Sequence, residues 1–423
     1  NGWYYTATPR LSASGILAAL VSGRGRLVRF LRHAVLGPGR DPVEADRRLL
    51  HRLAEEWRQE LLPRYEQAVQ EGEQQVETAD PKQLGSLVDA VGGLAGAYLW
   101  SLSVVGGSAW KMEGALASFA RQHLGGTVGG SVQQLLVGLP GTQPDLPPYA
   151  VQSVDWAHPT AGELGWQPPQ PSDRHRELAA QREQLTARCA AAIGHSPALQ
   201  ARFLALLEVA QRYATLREQQ ARQFTLAWPL LRRCALRLGD HLRTQGVIDQ
   251  AEDVFFLSRA ELHHPSSLAA LVGQRRAVWE RQRRLLAPLT IGRPPRLVQR
   301  ELLATVEAVR TSGTAAEGAI VGQPASPGRA TGRVRIVAGP DDFDRLQPGE
   351  VLVARATAPA WTPLFARAAA VVTDGGTLAA HASLVAREYG IPAVVATGDA
   401  TTRLSNGQRV TVDGGAGTVH PHS

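Results

Sequence analysis

The sequence predicts a multidomain protein in which a mostly α-helical N-terminal domain is followed by an α/β domain. Apolar residues recur at helical spacing through much of the chain up to about residue 309, and short β-branched strands alternate with turns after residue 319. Between them, TSGTAAEGA at residues 311–319 has the small residues of a flexible linker and no apolar anchor. We therefore predict a helical domain at residues 1–310, a hinge at 311–319 and an α/β domain at 320–423.

The composition indicates a protein of the reducing cytoplasm that handles anions. Cys189 and Cys234 are the only cysteines among 423 residues, which argues against a disulfide framework or a cysteine metal site. The net charge of +7 comes from 45 basic residues that are spread among 38 acidic ones. This bias favours phosphate ligands, whereas nucleic-acid binding needs a clustered basic face. We expect no nucleic-acid partner and no metal ligands in this chain.

The uncharged segment at residues 90–110 is apolar enough to be mistaken for a membrane span. It contains five glycines and three serines, which favour a tightly packed, buried helix or helix pair. The first residues of the sequence do not have the basic and then apolar pattern of a secretory leader. We therefore predict a cytoplasmic protein without a membrane contact.

Three patterns predict the helices of the N-terminal domain. Residues 42–74 place apolar side chains three and four positions apart, with an interruption expected near Pro63, and residues 172–244 repeat this spacing. Ser258 and Glu261 form a capping-box pattern, which predicts the start of a further helix.

The segment at residues 140–171 contains eight prolines, so no regular element is expected to run through it. It also contains Trp156, His158 and Trp166. A long irregular segment of this kind is a linker, a lid over a ligand site, or a surface loop that its own tryptophans hold in place. The residues alone leave these interpretations open.

The stretch LREQQARQF places Arg217 next to Glu218 and puts Arg222 one helical turn further on. One interpretation is an ordinary helix ion pair between Glu218 and Arg222. The other is a pocket for a phosphoryl acceptor, in which an arginine steadies the phosphoryl group and Glu218 draws the proton from a hydroxyl.

The strongest functional pattern is AAAVVTDGGTLAAHASLVAREYGIPAVVAT at residues 368–397. A short buried strand ends before Gly375 and Gly376, a helix is predicted from Leu378 to Tyr389, and a second buried strand follows. This is a βαβ unit whose loop lies at the carboxyl end of a strand, and His381 falls in the first turn of its helix.

Histidine at this position suits a phosphoryl carrier. Its neutral imidazole is nucleophilic near pH 7, and the unpaired N–H groups of the first helical turn can hold an anion. Gly375 and Gly376 allow a close backbone approach, and Thr377 adds a hydroxyl for a helix cap or a phosphate oxygen. A capping or half-buried structural histidine is the alternative interpretation of His381.

From about residue 319 to residue 420 the chain resembles the phosphohistidine swivelling domain of the phosphoenolpyruvate synthase and pyruvate phosphate dikinase superfamily. The matching segments are GQPASPGRATGRVRIV, PGEVLVARATAPAW, TDGGTLAAHASLVAREYGIPAVVAT and NGQRVTVDGGAGTV. In that superfamily the histidine of the GG…H…ARE.GIPAVV motif carries the phosphoryl group, and His381 occupies its place. Ala380 stands where the superfamily usually has Ser, Thr or Cys, and Thr377 stands where a second glycine is expected. The missing hydroxyl implies reduced turnover.

Two further segments extend the resemblance. Thr357 lies in a segment similar to the loop that flanks the carrier site, and AEDVFFLSRAEL at residues 251–262 resembles a signature of rifampin phosphotransferases and related synthases. The chain as a whole is therefore most similar to rifampin phosphotransferase, with a helical middle domain followed by a swivelling domain. The resemblance over residues 1–310 is weaker than over the C-terminal part.

The resemblance implies a dikinase-type phosphotransferase in which ATP is split to AMP and a phosphohistidine intermediate forms on His381. No segment resembles the ATP-grasp nucleotide domain of these enzymes, so ATP and Mg²⁺ are expected at an ATP-grasp domain or subunit outside this chain. The acceptor is expected to be a small molecule with a hydroxyl, and the tryptophans of the helical domain favour a bulky, apolar one. Two alternatives are a condensing ligase that uses the same phosphohistidine and a catalytically degenerate scaffold or regulatory subunit.

Overall fold

The computed structural model describes residues 42–128, 132–141, 147, 149–150, 157–160, 162–163, 174–263, 266–282, 318–357, 361–376 and 381–422. Within these ranges a helical region precedes a single mixed sheet with short helices, which confirms the predicted fold class. The predicted hinge at residues 311–319 lies outside the described residues as far as residue 317.

Among the described residues, the helical region has seven α-helices. They are α1 at Pro42–Glu56, α2 at Leu62–Gln75, α3 at Pro81–His123, α4 at Arg174–Ala192, α5 at Pro197–Phe224, α6 at Trp228–Thr244 and α7 at Ala269–Gln282. Short 3₁₀ turns lie at Gly125–Val128, Val132–Leu135, Ala251–Phe256 and Arg259–His263. The last of these is where a helix was predicted after Ser258. Glu261 does accept the backbone N–H of Ser258, at 2.7 Å, but only a 3₁₀ turn follows.

The interruption predicted near Pro63 takes the form of a π-helical turn at Trp57–Leu61, which joins α1 to α2. Proline has no backbone N–H, and its ring crowds the carbonyl one turn earlier, so the regular hydrogen-bond pattern cannot continue through it. The π-helical turn is followed by Pro63 in the first turn of α2, where the missing backbone N–H needs no partner. Trp57 is buried at this turn.

The core of the helical region contains buried aromatic side chains whose polar atoms are all bonded across the bundle. The indole N–H of Trp57 donates to the Tyr98 hydroxyl at 2.8 Å, and Tyr98 donates to the carbonyl of Gln220 at 3.0 Å. The Tyr65 hydroxyl donates to the carbonyl of Phe224 at 2.9 Å. Since these bonds join α2, α3, α5 and the π-helical turn, they fix the register of the helices against one another.

The helix α3 is the one helix of the described residues that is long and apolar enough, by length and composition, to cross a membrane. Only 22% of its most apolar stretch is buried. The sequence predicted a buried helix or helix pair at residues 90–110, whereas the structure has one continuous helix with one packed face. On the other face Leu99 is 42% and Trp100 is 72% exposed. The glycines of residues 90–110 are not at close contacts, because a Cβ added at any of them meets nothing within 4 Å.

The C-terminal region is an eight-stranded mixed sheet. Its strands are β1 at Ile320–Val321, β2 at Gln323–Ser326, β3 at Arg329–Ile336, β4 at Val351–Ala354, β5 at Ala370–Thr373, β6 at Ala393–Val395, β7 at Arg409–Asp413 and β8 at Thr418–Pro421. The spatial order is β1-β8-β7-β3-β4-β5-β6-β2. The central strands β3 to β6 pair in parallel, and the outer pairs are antiparallel.

Short helices cover the two faces of this sheet. They are α8 at Thr362–Phe365, α9 at His381–Tyr389 and α10 at Ala400–Arg403. One face packs against α8 and α9, through residues such as Leu364, Phe365 and Ala386. The other face forms a separate apolar cluster that includes Val353, Val372 and Leu404. The parallel strands at the centre of the sheet are therefore buried on both faces. This is why they are short continuous apolar runs.

Candidate functional site

The candidate site lies at the edge of the sheet where the parallel strands β4 and β5 end. Residues Ala354 and Thr373 are paired across these strands, so the segments that follow them leave the sheet side by side. The N–H of Asp374 donates to the carbonyl of Ala354 at 3.0 Å, and the N–H of Gly375 donates to the carbonyl of Arg355 at 2.8 Å. The pairing register of β4 and β5 therefore sets where the glycine loop, residues 374–376, begins.

The two glycines are needed for different reasons. Gly376 has a φ of +112°, a backbone conformation that side chains with a Cβ rarely adopt. A Cβ on Gly375 lies 3.3 Å from the carbonyl oxygen of Arg355, so this position is tight but not impossible for alanine. The loop thus has glycine at one position that is tight for a side chain and at one that is strained for it. Contact of Gly375, Gly376, Thr377 or Thr357 with a phosphoryl group stays a prediction.

Asp374 holds the loop in place, and the sequence reasoning did not single it out. Its carboxylate accepts the backbone N–H of Thr401 at 2.9 Å, and also the hydroxyls of Thr401 and Thr397. These bonds tie the loop after β5 to the segment after β6 and to the start of α10. The sequence did contain a signal for this residue. An aspartate that directly follows an apolar strand and precedes two glycines is expected at the end of the strand.

The structure describes α9 from His381 onward, so the predicted carrier residue lies on this helix. The predicted start of the helix at Leu378 lies outside the described residues. The description of His381 is confined to its backbone, and Thr377 and Ala380 lie outside the described residues. Thr357 is half-buried and lies three residues beyond β4, at the same edge of the sheet. The fold therefore brings Thr357, Gly375, Gly376 and the start of α9 to one edge.

The helix α9 is fixed to the sheet at both of its sides. Val385 and Ala386 are buried in the apolar cluster beneath it. Near the end of α9, Nε of the buried Arg387 donates to the carbonyl of Ala325 in β2 at 2.7 Å. Gly390 ends the helix with a φ of +66°, as the sequence predicted from its glycine. These contacts hold the helix that bears the predicted carrier residue firmly against the sheet.

The predicted acceptor-side residues lie on α5. Nε of Arg217 donates to Oε1 of Glu218 at 2.9 Å, and these side chains are 13% and 25% exposed. The helix-spacing argument paired Glu218 with Arg222, but in the structure Glu218 bonds to its direct neighbour Arg217. The extended arginine side chain reaches its neighbour along the helix surface, which spacing alone does not show. Arg222 is partly buried further along α5.

The helical region and the sheet region contact each other where α9 packs against α4. Glu113 of α3 is half-buried. Burial raises the pKa of its carboxyl, and the positive charges of Arg217 on α5 and Arg387 on α9 lower this pKa in part. The sequence analysis singled out neither Glu113 nor Arg387, because their burial depends on the packing of elements that are distant in the sequence.

A cavity of about 610 Å³ lies elsewhere in the helical region, between α7, the 3₁₀ turn at Ala251–Phe256 and residues 157–158. Its aromatic walls include Phe256 and His158, whose rings lie 6.1 and 6.5 Å from that of Trp279. His158 comes from the proline-rich segment, whose Trp156 and Trp166 lie outside the described residues. Among the residues with described side chains, no three His, Cys, Asp or Glu groups form an arrangement that could hold a metal ion.

Comparison with known proteins identifies the sheet region. The family model of the mobile domain of PEP-utilising enzymes matches residues 346–417, which include the glycine loop and α9. The chain is 39% identical over 188 residues to an uncharacterised phosphotransferase of Bacillus subtilis, an alignment that covers 44% of this chain and 23% of that protein.

Two further relatives have assigned names. Rifampicin phosphotransferase of Streptomyces sviceus is 36% identical over 184 residues, which is 43% of this chain and 20% of the relative. Phosphoenolpyruvate synthase of Aeropyrum pernix is 36% identical over 191 residues, which is 45% of this chain and 20% of the relative. The chain thus matches less than a quarter of the length of each of these three proteins. Residues 346–417 thus match the mobile domain of PEP-utilising enzymes, and the chain is similar to proteins of that kind over less than half of its length.

Proposed function

We propose that this chain is a phosphotransferase component in which His381 accepts a phosphoryl group and passes it to the hydroxyl of a small molecule. The observation that carries the proposal is the position of His381 at the start of α9, directly beyond a glycine loop at the carboxyl edge of parallel strands. The match of the mobile-domain family model over the same residues supports it.

The chemistry follows from this position. A neutral imidazole nitrogen attacks the donor phosphorus and forms a P–N bond, and a hydroxyl oxygen later displaces the imidazole as the P–N bond breaks. N–H groups in the first turn of a helix have no partner within the helix, so a histidine there has hydrogen-bond donors for an anion beside it. Gly375, Gly376, Thr377 and Thr357 supply the surrounding phosphate contacts in this proposal.

The donor in this proposal is ATP, which is split to AMP on an ATP-grasp module outside these 423 residues. That module holds the Mg²⁺, and the sheet region moves between it and the helical region on the hinge at residues 311–319. A moving carrier is needed because a phosphoryl group released into water is lost to hydrolysis. We assign Arg217, Glu218 and Arg222 to the acceptor side, where arginines stabilise transferring phosphoryl charge.

The acceptor in this proposal is a bulky apolar molecule with a hydroxyl group. The cavity between His158, Phe256 and Trp279 supports this choice, since its aromatic walls suit a flat apolar ligand. One relative is named for the phosphorylation of rifampicin.

The test uses ATP labelled at the β phosphate, Mg²⁺ and a candidate ATP-grasp partner, and in parallel phosphoramidate, which needs no partner. We expect acid-labile, alkali-stable label on His381, located by mass spectrometry. His381→Ala should lose the label completely, whereas His51→Ala, a change at an exposed histidine of α1, should keep it. Label that survives in His381→Ala would contradict the carrier role.

The same experiment separates the alternatives. A phosphorylated product supports the phosphotransferase, and a coupled product supports the condensing ligase. If the native chain takes no label from either donor but Ala380→Ser does, the chain is a degenerate scaffold that lacks one hydroxyl.

A further inference from the structure

Seven exposed residues of α3 lie on one face of this helix, because they recur every three or four positions. They are Asp89, Gly93, Ala97, Trp100, Ser103, Gly107 and Lys111, and we call them the exposed α3 face. Between its two charged ends this face has only small or apolar residues, and Trp100 is 72% exposed. A large apolar side chain in water is unfavourable, so a patch of this kind is typical of an interaction surface.

The glycines of this helix also indicate a partner. Glycine is among the least favourable residues in the interior of a helix. Residues 90–110 nevertheless contain five glycines, and a Cβ added at any of them meets nothing within 4 Å. No neighbour in the described part of the chain therefore requires them. Small residues on a helix face allow the backbone of a second helix to approach closely, which gives these glycines a physical reason.

The residues of the exposed α3 face are arranged symmetrically about Trp100. Small residues lie three and seven positions away from it on both sides, and the charged residues Asp89 and Lys111 lie eleven positions away. When two copies of a helix pack antiparallel, positions that are equally far from the centre on opposite sides lie opposite each other. Small residues of one copy then lie opposite small residues of the other, and Asp89 lies opposite Lys111.

The charges at the two ends favour this antiparallel arrangement. Lys111 donates to the buried carboxylate of Asp46 at 2.6 Å, and Asp89 accepts from Arg259, while Lys111 and Asp89 both stay exposed to water. In an antiparallel pair Lys111 of one copy comes beside Asp89 of the other, so the four groups form a row of alternating sign. A parallel pair would instead bring each charge beside its own copy, and like charges repel.

We propose that the exposed α3 face is a dimer interface, on which α3 of a second copy of this chain packs antiparallel with Trp100 near the two-fold axis. A two-fold interface uses the same patch on both copies, so the patch has to be complementary to itself. The symmetric spacing and the opposite charges at the two ends give this property, which neither a lipid surface nor an unrelated protein requires. Residues 89–111 span about 33 Å of helix, which is a short contact, so the dimer should dissociate in the micromolar range. The dimer does not require the transfer chemistry of His381.

Sedimentation equilibrium of the 423-residue chain between about 1 and about 200 µM measures the dissociation constant of the dimer. We expect Trp100→Glu to raise this constant by at least about 100-fold, because two carboxylates then meet near the axis in place of two apolar rings. Leu204→Glu, at an exposed leucine of α5, is the matched control and should leave the constant unchanged. Both side chains are exposed, so neither change should alter the circular dichroism of the monomer.

Disulfide crosslinking tests the orientation of the two helices. Cys189 and Cys234 are buried, so they should not compete with cysteines placed on the exposed α3 face. A disulfide needs Cα atoms within about 7 Å, and identical positions three residues from the axis are about 9 Å apart along an antiparallel pair. We therefore expect a mixture of Ala97→Cys and Ser103→Cys chains to form mainly the mixed disulfide on oxidation. Each variant alone should form little disulfide, and peptide mass spectrometry identifies the linked residues.

Several outcomes would overturn the antiparallel dimer. A chain that stays monomeric at the highest concentration has no such interface. A dimer that Trp100→Glu leaves intact uses another surface, and disulfides that join Ala97→Cys chains to each other show parallel pairing. A chain that stays monomeric but floats with phosphatidylcholine vesicles, and loses this binding in Trp100→Glu, uses the exposed α3 face for a lipid surface instead.

Discussion

The glycine loop and the helical core hold their polar groups in two different ways. In the loop, backbone N–H groups of Asp374 and Gly375 bond to carbonyls of the neighbouring strand, and one carboxylate ties the loop to the next turn. In the helical core, long side chains reach across the bundle, as in the bonds from Trp57 to Tyr98 and from Tyr65 to the carbonyl of Phe224.

This difference shows which parts of the site depend on local geometry. The loop conformation is set by strand register and by two glycines, so a short sequence motif is sufficient to specify it. The acceptor side depends on the register of several helices that are far apart in the sequence. The first region should therefore be sensitive to backbone changes, and the second to the loss of single buried polar atoms.

The largest effect is expected for Asp374→Ala in the loop. This change removes a carboxylate that accepts bonds from Thr401 and Thr397, and hydrogen bonds to a charged group are stronger than neutral ones. We expect a loss of about 3 kcal/mol in the free energy of unfolding of the sheet region. Hydrogen exchange by mass spectrometry should show faster exchange at residues 370–376 and 396–403. Asp344→Ala, at an exposed aspartate, is the control; equal protection in both variants would contradict the anchoring role.

A smaller effect is expected for Tyr98→Phe in the helical core. Without the hydroxyl, the buried indole N–H of Trp57 and the carbonyl of Gln220 lose their partner. An unsatisfied buried donor costs about 2 kcal/mol, so the helical region should unfold at lower denaturant concentration. Peptides of the sheet region should keep their exchange rates. Faster exchange in both regions would show that they unfold as one unit.

The two regions should respond oppositely to glycine replacement. Gly376→Ala forces an alanine to a φ of +112°, and the strain should cost about 1–2 kcal/mol. Gly93→Ala, at an exposed helix position where a Cβ meets nothing, should stabilise the helical region by up to about 1 kcal/mol. Calorimetry of the two variants gives the comparison. Stabilisation by Gly376→Ala would show that the loop tolerates a side chain.

The smallest effect is expected at the ion pair between β3 and the turn before β4. Arg335 donates twice to Glu350 and lowers the pKa of that carboxyl. A carboxyl whose pKa is lowered in the folded state stabilises the fold above its ordinary pKa of 4.5, and this contribution is lost as pH falls through the folded value. Arg335→Gln should cost less than about 1 kcal/mol at pH 7 and about nothing once the pH lies well below the lowered pKa of Glu350. If the loss of stability in this variant does not depend on pH, the charge of Glu350 is not its cause.

Much of the sheet region was predictable because its signals are local. The strand, the glycine pair and the helix that ends at Gly390 follow one another in the sequence, and the structure has them in that order. The pairing of Ala354 with Thr373 follows from the parallel arrangement of β4 and β5, but neither strand sequence alone predicts it. The anchoring role of Asp374 could be suspected from its place after β5, whereas its partner Thr401 could not.

The helical region was predictable only as a set of elements. Helical spacing predicted the stretches at residues 42–74 and 172–244, but it did not show that a π-helical turn precedes Pro63. It also paired Glu218 with Arg222, while the structure pairs Glu218 with Arg217. Such details depend on how far side chains reach and on local adjustments of the backbone. The spacing of apolar residues in the sequence does not predict them.

The sequence by itself determined the two-part architecture, the glycine loop and the position of His381 at the beginning of a helix. These features depend on residues within about one βαβ unit, where chain connectivity already brings them close. Only the tertiary structure decided that Trp57, Tyr98 and Gln220 form one chain of hydrogen bonds. This chain requires α3, α5 and the π-helical turn to pack in one arrangement, and the physical reason is that the contacts of distant helices are set by the whole core.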